Sequence, residues 1–224
     1  MSEPSTLTIE DVRRALGFAQ PLLKFTESDD AIFAYGVFIV SDGPHPNGPA
    51  KRFEIKCFFF KDFPKREPIV IENGGVIPRI ADRHMYKNGV CCLCVWQEWL
   101  VLSQDTSFQA FCDGPLYNFF LSQTWFEQTG EWPFDERSHG AKGIAESISQ
   151  LLGFKVNEQQ ANSYAQAILA KRVKGHWPCP CGSNKKLRDC HLDEVISLRE
   201  QLGADTILGL QSQLQNLMKA ERET

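Results

Sequence analysis

The chain has 224 residues, 42% of them hydrophobic and 23% charged, with a formal net charge of −4. That is ordinary globular material, enough for one main core and a small appendage, and its acidic balance argues against general nucleic-acid binding, which needs a basic face to neutralise phosphates. The opening stretch MSEPSTLTIEDVRR lacks the basic and apolar blocks of a signal peptide. No apolar run approaches the ~20 residues that span a bilayer, so a cytoplasmic protein without membrane attachment is expected.

Thr8, followed by Ile9, Val12 and Leu16 at helical spacing and by Asp11 three residues on, predicts a capped amphipathic helix from Ile9 to Ala19. Ala31 to Val40 and Arg52 to Phe60 are β-branched and aromatic runs separated by a cluster of turn formers, which predicts two antiparallel strands and a long hairpin. Phe63-Pro64 and Glu67-Pro68 bracket a turn, and Ile69 to Ile71 continue as a third strand until Asn73-Gly74-Gly75. Beyond Trp99 the period changes. Phe108, Phe111, Leu116, Phe119, Phe120 and Trp125 form a broad apolar stripe, with Gly114-Pro115 interrupting it and a helix expected from Leu116 to Thr129. Two more helices are predicted over Ser138 to Gly153 and Asn157 to Val173, the second capped by Asn157. From Leu192 onward, Leu198, Leu202, Ile207, Leu210, Leu214 and Leu217 make an amphipathic helical pattern broken at Gly203.

The eight cysteines fall into two clusters with two outliers, Cys57 and Cys112. In a reducing cytosol such clusters mean chemistry or metal rather than disulfides. The first lies in HMYKNGVCCLCVWQEW, His84 to Trp99, where Asn88-Gly89 is a tight-turn dipeptide that delivers Cys91, Cys92 and Cys94. A single cysteine is more often a buried, inert thiol than a nucleophile. Side chains of an extended chain alternate, however, so Cys91 and Leu93 pointing inward would leave Cys92 and Cys94 outward, and Cys92 becomes the candidate nucleophile. A thiolate there can hold an acyl group as a thioester. The second cluster, Cys179-Pro-Cys181 followed by Cys190-His191, places four soft ligands within thirteen residues, on a segment too short for a core of its own. Tetrahedral zinc is the natural occupant, and four protein ligands make the site structural.

In this order the pieces resemble the ubiquitin-conjugating-enzyme (UBC) fold, and more closely its prokaryotic branch. The resemblance rests on the Phe63-Pro64…Pro68-x-Val70 turn, then His84-x-Tyr86-x-Asn88-Gly89-x-x-Cys92-Leu93 with Trp99 downstream, and on the Thr129-Gly-Glu-Trp-Pro segment. It implies an α+β fold, with an N-terminal helix, an antiparallel β-meander and C-terminal helices. The corresponding segmentation is a UBC-like domain over residues 1–153, a helical linker over 154–174, a zinc motif over 175–192 and a helical tail over 193–224. Residues 176–191 resemble a SEC-C motif, with Asn184 in place of its second glycine. In that family the matching Cys179, Cys181, Cys190 and His191 bind zinc, and the knuckle serves protein docking.

Aligning the Gly-x-x-Cys-Leu element puts the UBC family's catalytic cysteine on Cys92, with Cys91 as the alternative if the register slips by one. The family's oxyanion-stabilising Asn, eight residues earlier, is replaced by His84, which would donate a hydrogen bond, take a proton, or only pin the turn. His139 is either an auxiliary base or an exposed loop residue. The resemblance implies a Cys92 thioester with the C-terminus of a partner protein, passed on to a lysine or another amine. The chain carries no Gly-x-Gly-x-x-Gly turn or P-loop, so activation must come from another protein or from transpeptidation. Bacterial relatives of this kind sit in CBASS-type antiphage defence operons, which implies a cGAS-like nucleotide cyclase as the donor. Two other functions fit the same residues: a non-catalytic adaptor working through the knuckle, and a Cys-His hydrolase with His84 or His139 as base.

Overall fold

A capping box opens the first helix, α1 (Ile9–Leu16): the Thr8 side chain accepts from the Asp11 backbone N–H and the Asp11 carboxylate accepts from the Thr8 N–H. The computed structural model describes residues 6–45, 50–134, 140–202 and 204–220. After α1 come β1 (Leu23–Glu27), β2 (Ala31–Val40), β3 (Lys51–Phe60) and β4 (Ile69–Glu72), which pair in chain order as one four-stranded antiparallel sheet. β2 and β3 run in register from Ala31 opposite Phe60 to Val40 opposite Lys51. β3 alternates: Phe53, Ile55, Cys57 and Phe59 are buried, while Arg52, Glu54 and Lys56 are not. β1 carries no such signal, since only Leu23 of its five residues is buried, and it is absent from the sequence-based reading. It lies against β2 where Gly36 has φ 134° and a Cβ would come within 2.3 Å of the Leu22 carbonyl oxygen, so only glycine fits.

The buried face of the sheet packs on an aromatic helix. α2 (Trp96–Leu102) comes first in the chain; α3 (Phe108–Phe111) then leads through a π turn, Cys112–Leu116, into α4 (Tyr117–Thr129). The turn holds Pro115, and the Tyr117 N–H reaches back five residues to the Cys112 carbonyl. Phe120 touches Phe38 and Phe53, each with ring centroids 4.9 Å away, and Phe108 meets Phe59 at 4.9 Å and Phe63 at 5.4 Å. The apolar stripe is core. Gly130, with φ 75°, ends α4 in the left-handed conformation that glycine adopts freely.

α5 (Gly140–Leu152), α6 (Glu158–Leu169), α7 (Leu192–Gln201) and α8 (Ala204–Ala220) complete the chain. Asn157 and Gln160 form a second capping box at the start of α6. Contacts divide the chain into a first unit, Met1–Cys94 with Ser103–Glu136, and a second, Val95–Leu102 with Arg137–Thr224. This differs from the segmentation at residue 153. α5 buries Ala141, Ile144, Ala145 and Ile148 in the same core as Tyr164, Leu187, Val195, Leu198, Leu210 and Leu214. Short amphipathic helices are marginal alone and gain their stability by burying a stripe against one another, so the expected linker, knuckle and tail form one body with α5. α2, which no sequence pattern announced, joins that body. Among the described residues no helix is long and apolar enough to cross a membrane.

Candidate functional site

The first cysteine cluster follows β4 through a loop tied to that strand by backbone hydrogen bonds. Gly89 donates to the Tyr86 carbonyl at 2.9 Å, closing the turn that Asn88-Gly89 announces, and the Gly89 carbonyl accepts from the Glu72 N–H at 2.9 Å. Gly89 has φ 86°, and a Cβ there would lie 2.9 Å from the Glu72 carbonyl oxygen. Cys91 donates its N–H to Val70 and Cys92 its N–H to His84, both at 2.8 Å. The alternation expected of the cysteines is observed at its first two positions: Cys91 is 6% exposed and Cys92 is half-buried.

The two neighbouring thiols differ electrostatically. Burial pushes Cys91 up to about 12. Cys92 is also raised, first by desolvation and then by the Glu67 carboxylate, while a hydrogen bond from the Tyr86 hydroxyl pulls it the other way. Desolvation lifts Glu67 itself to about 7, although the residue keeps much of its surface in water, which screens its effect on the thiol. Tyr86 and Glu67 thus both bear on Cys92, and sequence reasoning proposed only the cysteine as a site residue.

His84 stands in the left-handed region, φ 49° and ψ 40°, uncommon for a residue with a Cβ. Its carbonyl pins Cys92, and its ring lies edge-on to Trp132 at 5.5 Å. Trp132 meets Phe126 in a tilted contact at 4.6 Å, and Arg83 lies over Phe126 at 4.7 Å. The buried Gln123 side chain accepts from Arg83 Nε and donates to the Arg83 carbonyl, both at 2.9 Å. α4 therefore holds the backbone just ahead of the thiol. His139 lies outside the described residues. An open groove of about 360 Å³, lined by Ala15, Gln20, Phe38, Asp113 and Tyr117 among others, contains none of the described candidate residues.

In the second unit, the knuckle brings all four expected ligands together. Their ligand atoms lie within 4.8 Å of one another. His191 Nδ1 is 3.3 Å from both the Cys179 and Cys190 sulfurs, and Cys181 Sγ is 3.5 Å from Cys190 Sγ. A tetrahedron with Zn–S of about 2.3 Å and Zn–N of about 2.0 Å has edges of ~3.5–3.8 Å, so the donor set fits a four-coordinate zinc. Burial raises Cys181, but hydrogen bonds with Ser183 and with the neighbouring cysteines outweigh it and bring that thiol down to about 6, whereas burial raises Cys179 beside it. The hairpin is closed by Cys179 N–H to Lys185 and Leu187 N–H to Trp177, with Gly182 and Asn184 both at positive φ.

Residues 178–193 match the SEC-C motif family. This knuckle carries a SEC-C motif. No curated protein and no solved structure matches the chain.

The four expected SEC-C ligands are embedded among residues outside the motif. Gln160 of α6 donates to the Cys181 carbonyl at 2.9 Å, Phe154 stacks on the His191 ring at 4.1 Å and 18°, and the Tyr164 hydroxyl lies 3.3 Å from Cys179 Sγ and 3.1 Å from His191 Nδ1. Sequence reasoning missed all three residues. For Gln160 and Tyr164 the signal available was their spacing of four on one capped helix, which puts both polar side chains on the same face.

Proposed function

We propose that the first unit is a ubiquitin-conjugating-enzyme-like acyl carrier and the chain an acyltransferase. Cys92 takes the C-terminal acyl group of a partner protein from a carboxyl activated elsewhere, the thiol losing its proton and the activating group departing as the thioester forms. An amine, a lysine ε-amino group or a small-molecule amine, then attacks that carbonyl, forming an amide and returning the thiol. The observation that carries the reading is the contrast between adjacent thiols: Cys92 is half-buried at the end of the Tyr86–Gly89 turn beside a phenol, whereas Cys91 is buried and pushed up to about 12. The raised Cys92 also suits a carrier, because a more basic thiol is a poorer leaving group and its thioester lasts longer in water. The His84 carbonyl fixes the Cys92 backbone, and the imidazole beside Trp132 is the candidate donor or base near that backbone.

Activation of the donor carboxyl belongs to a separate protein. The sequence resemblance supports a cGAS-like nucleotide cyclase as donor, in a cytoplasmic antiphage system of the CBASS type, with the SEC-C knuckle as a protein-docking element. Intact-mass analysis of the chain with a nucleotide cyclase, its activating partner and ATP tests the reading. A reductant-sensitive adduct should form on the unaltered chain and on Cys91→Ala but not on Cys92→Ala, and should give way to a reductant-resistant conjugate. Conjugation surviving in Cys92→Ala overturns the proposal. Free donor as the only product assigns a hydrolase instead, and donor binding without any adduct assigns an adaptor.

A further inference from the structure

The SEC-C ligands close a tetrahedron by themselves, yet the most buried of them lacks water. Cys179 is 5% exposed, and a thiolate out of water needs a hydrogen-bond donor from the protein. Three cysteine thiolates and a neutral histidine around a divalent cation leave a net negative charge, which sharpens that need. A phenol, 0% exposed, stands beside it: Tyr164 on α6, fourteen residues ahead of the motif, with its hydroxyl 3.3 Å from Cys179 Sγ. The same hydroxyl is 3.1 Å from His191 Nδ1, but a ring nitrogen that ligates a metal has no lone pair to spare, so the sulfur is the acceptor that remains.

We propose that the metal centre extends to Tyr164, whose hydroxyl donates to the Cys179 thiolate as an outer partner of the zinc. Phe154, stacked on His191, meets Tyr164 edge-on at 5.5 Å, so the phenol and the ligand imidazole are held by one aromatic neighbour. One turn earlier on α6, Gln160 ties the Cys181 carbonyl. α6 is thus part of the metal site rather than a neighbour of it, and zinc retention depends on a residue outside the motif. Tyr164 is a positioning residue: it acts through the sulfur and does not ligate.

Tyr164→Phe in the full chain removes one oxygen and keeps the ring. Zinc release to a chromogenic chelator should become about tenfold faster, the lower end of what outer hydrogen-bond partners of metal ligands contribute. In the cobalt-substituted chain, the sulfur-to-metal charge-transfer band should move to longer wavelength, because a sulfur without its hydrogen bond gives up electron density more easily. Far-ultraviolet circular dichroism should stay the same. A folded variant with unchanged release and an unchanged band overturns the assignment. If the variant is unfolded, a zinc titration decides: helix content recovered at raised zinc supports the proposal, and no recovery at saturating zinc shows that the hydroxyl serves packing and overturns it.

Discussion

Cys92 and Cys181 are both half-buried cysteines on tight turns, yet their surroundings drive them in opposite directions. At Cys92, burial and the Glu67 carboxylate raise the thiol, with the Tyr86 hydroxyl as the counterweight. At Cys181, the Ser183 hydroxyl and backbone and the adjoining cysteines overcome burial and lower it to about 6. The difference separates two uses of sulfur. A metal ligand must be ionised when it binds, and at Cys181 the surrounding donors favour that form although burial raises its neighbour Cys179, whereas a carrier of an acyl group gains from a thiol that leaves slowly.

The same contrast extends to what holds each unit together, and the largest expected effect breaks it directly. Cys190→Ala, or chelation of the metal, should remove a cross-link worth on the order of 10 kcal/mol in small zinc domains and cost the second unit most of its helical structure, read by circular dichroism and limited proteolysis. Retention of that structure without metal would show that the helical core suffices. Among the described residues of the first unit no cluster of metal ligands stands at the centre; aromatic packing does. Phe120→Ala, at the meeting point of Phe38 and Phe53, should lower stability by ~3–5 kcal/mol in urea titration, with zinc content unchanged.

The smallest effects sharpen the electrostatic half of the comparison. Glu67→Gln removes a charge that raises Cys92, so the thiolate fraction near pH 8 should increase and alkylation of Cys92, followed by peptide mapping, should quicken several-fold. Tyr86→Phe removes the hydrogen bond that lowers the thiol, so alkylation should slow. In the unaltered chain the rate should still be climbing above about pH 8.5, the pKa of an ordinary thiol. Equal profiles in all three chains would mean that Glu67 and Tyr86 do not act on the sulfur.

Local signals in the sequence were those with short-range physics behind them. The Thr8 and Asn157 caps, the β2 and β3 runs, the Gly89 turn and the SEC-C ligands are each settled by residues within a few positions of one another, and each appears as read. β1 and α2 escaped because one is a polar edge strand and the other a single two-turn helix, both stabilised by neighbours distant in the chain.

The sequence by itself determined where the turns fall, which sulfurs and imidazole can meet a metal, and that a mixed α and β chain would result, because capping, alternation and ligand spacing act over a few residues. Only the tertiary structure decided that Glu67 and Tyr86 bear on Cys92, that Gln123 steadies the Arg83 backbone, that Tyr164 faces Cys179, and that α5 belongs with the knuckle rather than the sheet. Those outcomes depend on desolvation and on contacts between segments far apart in the chain, and neither exists until the core has formed.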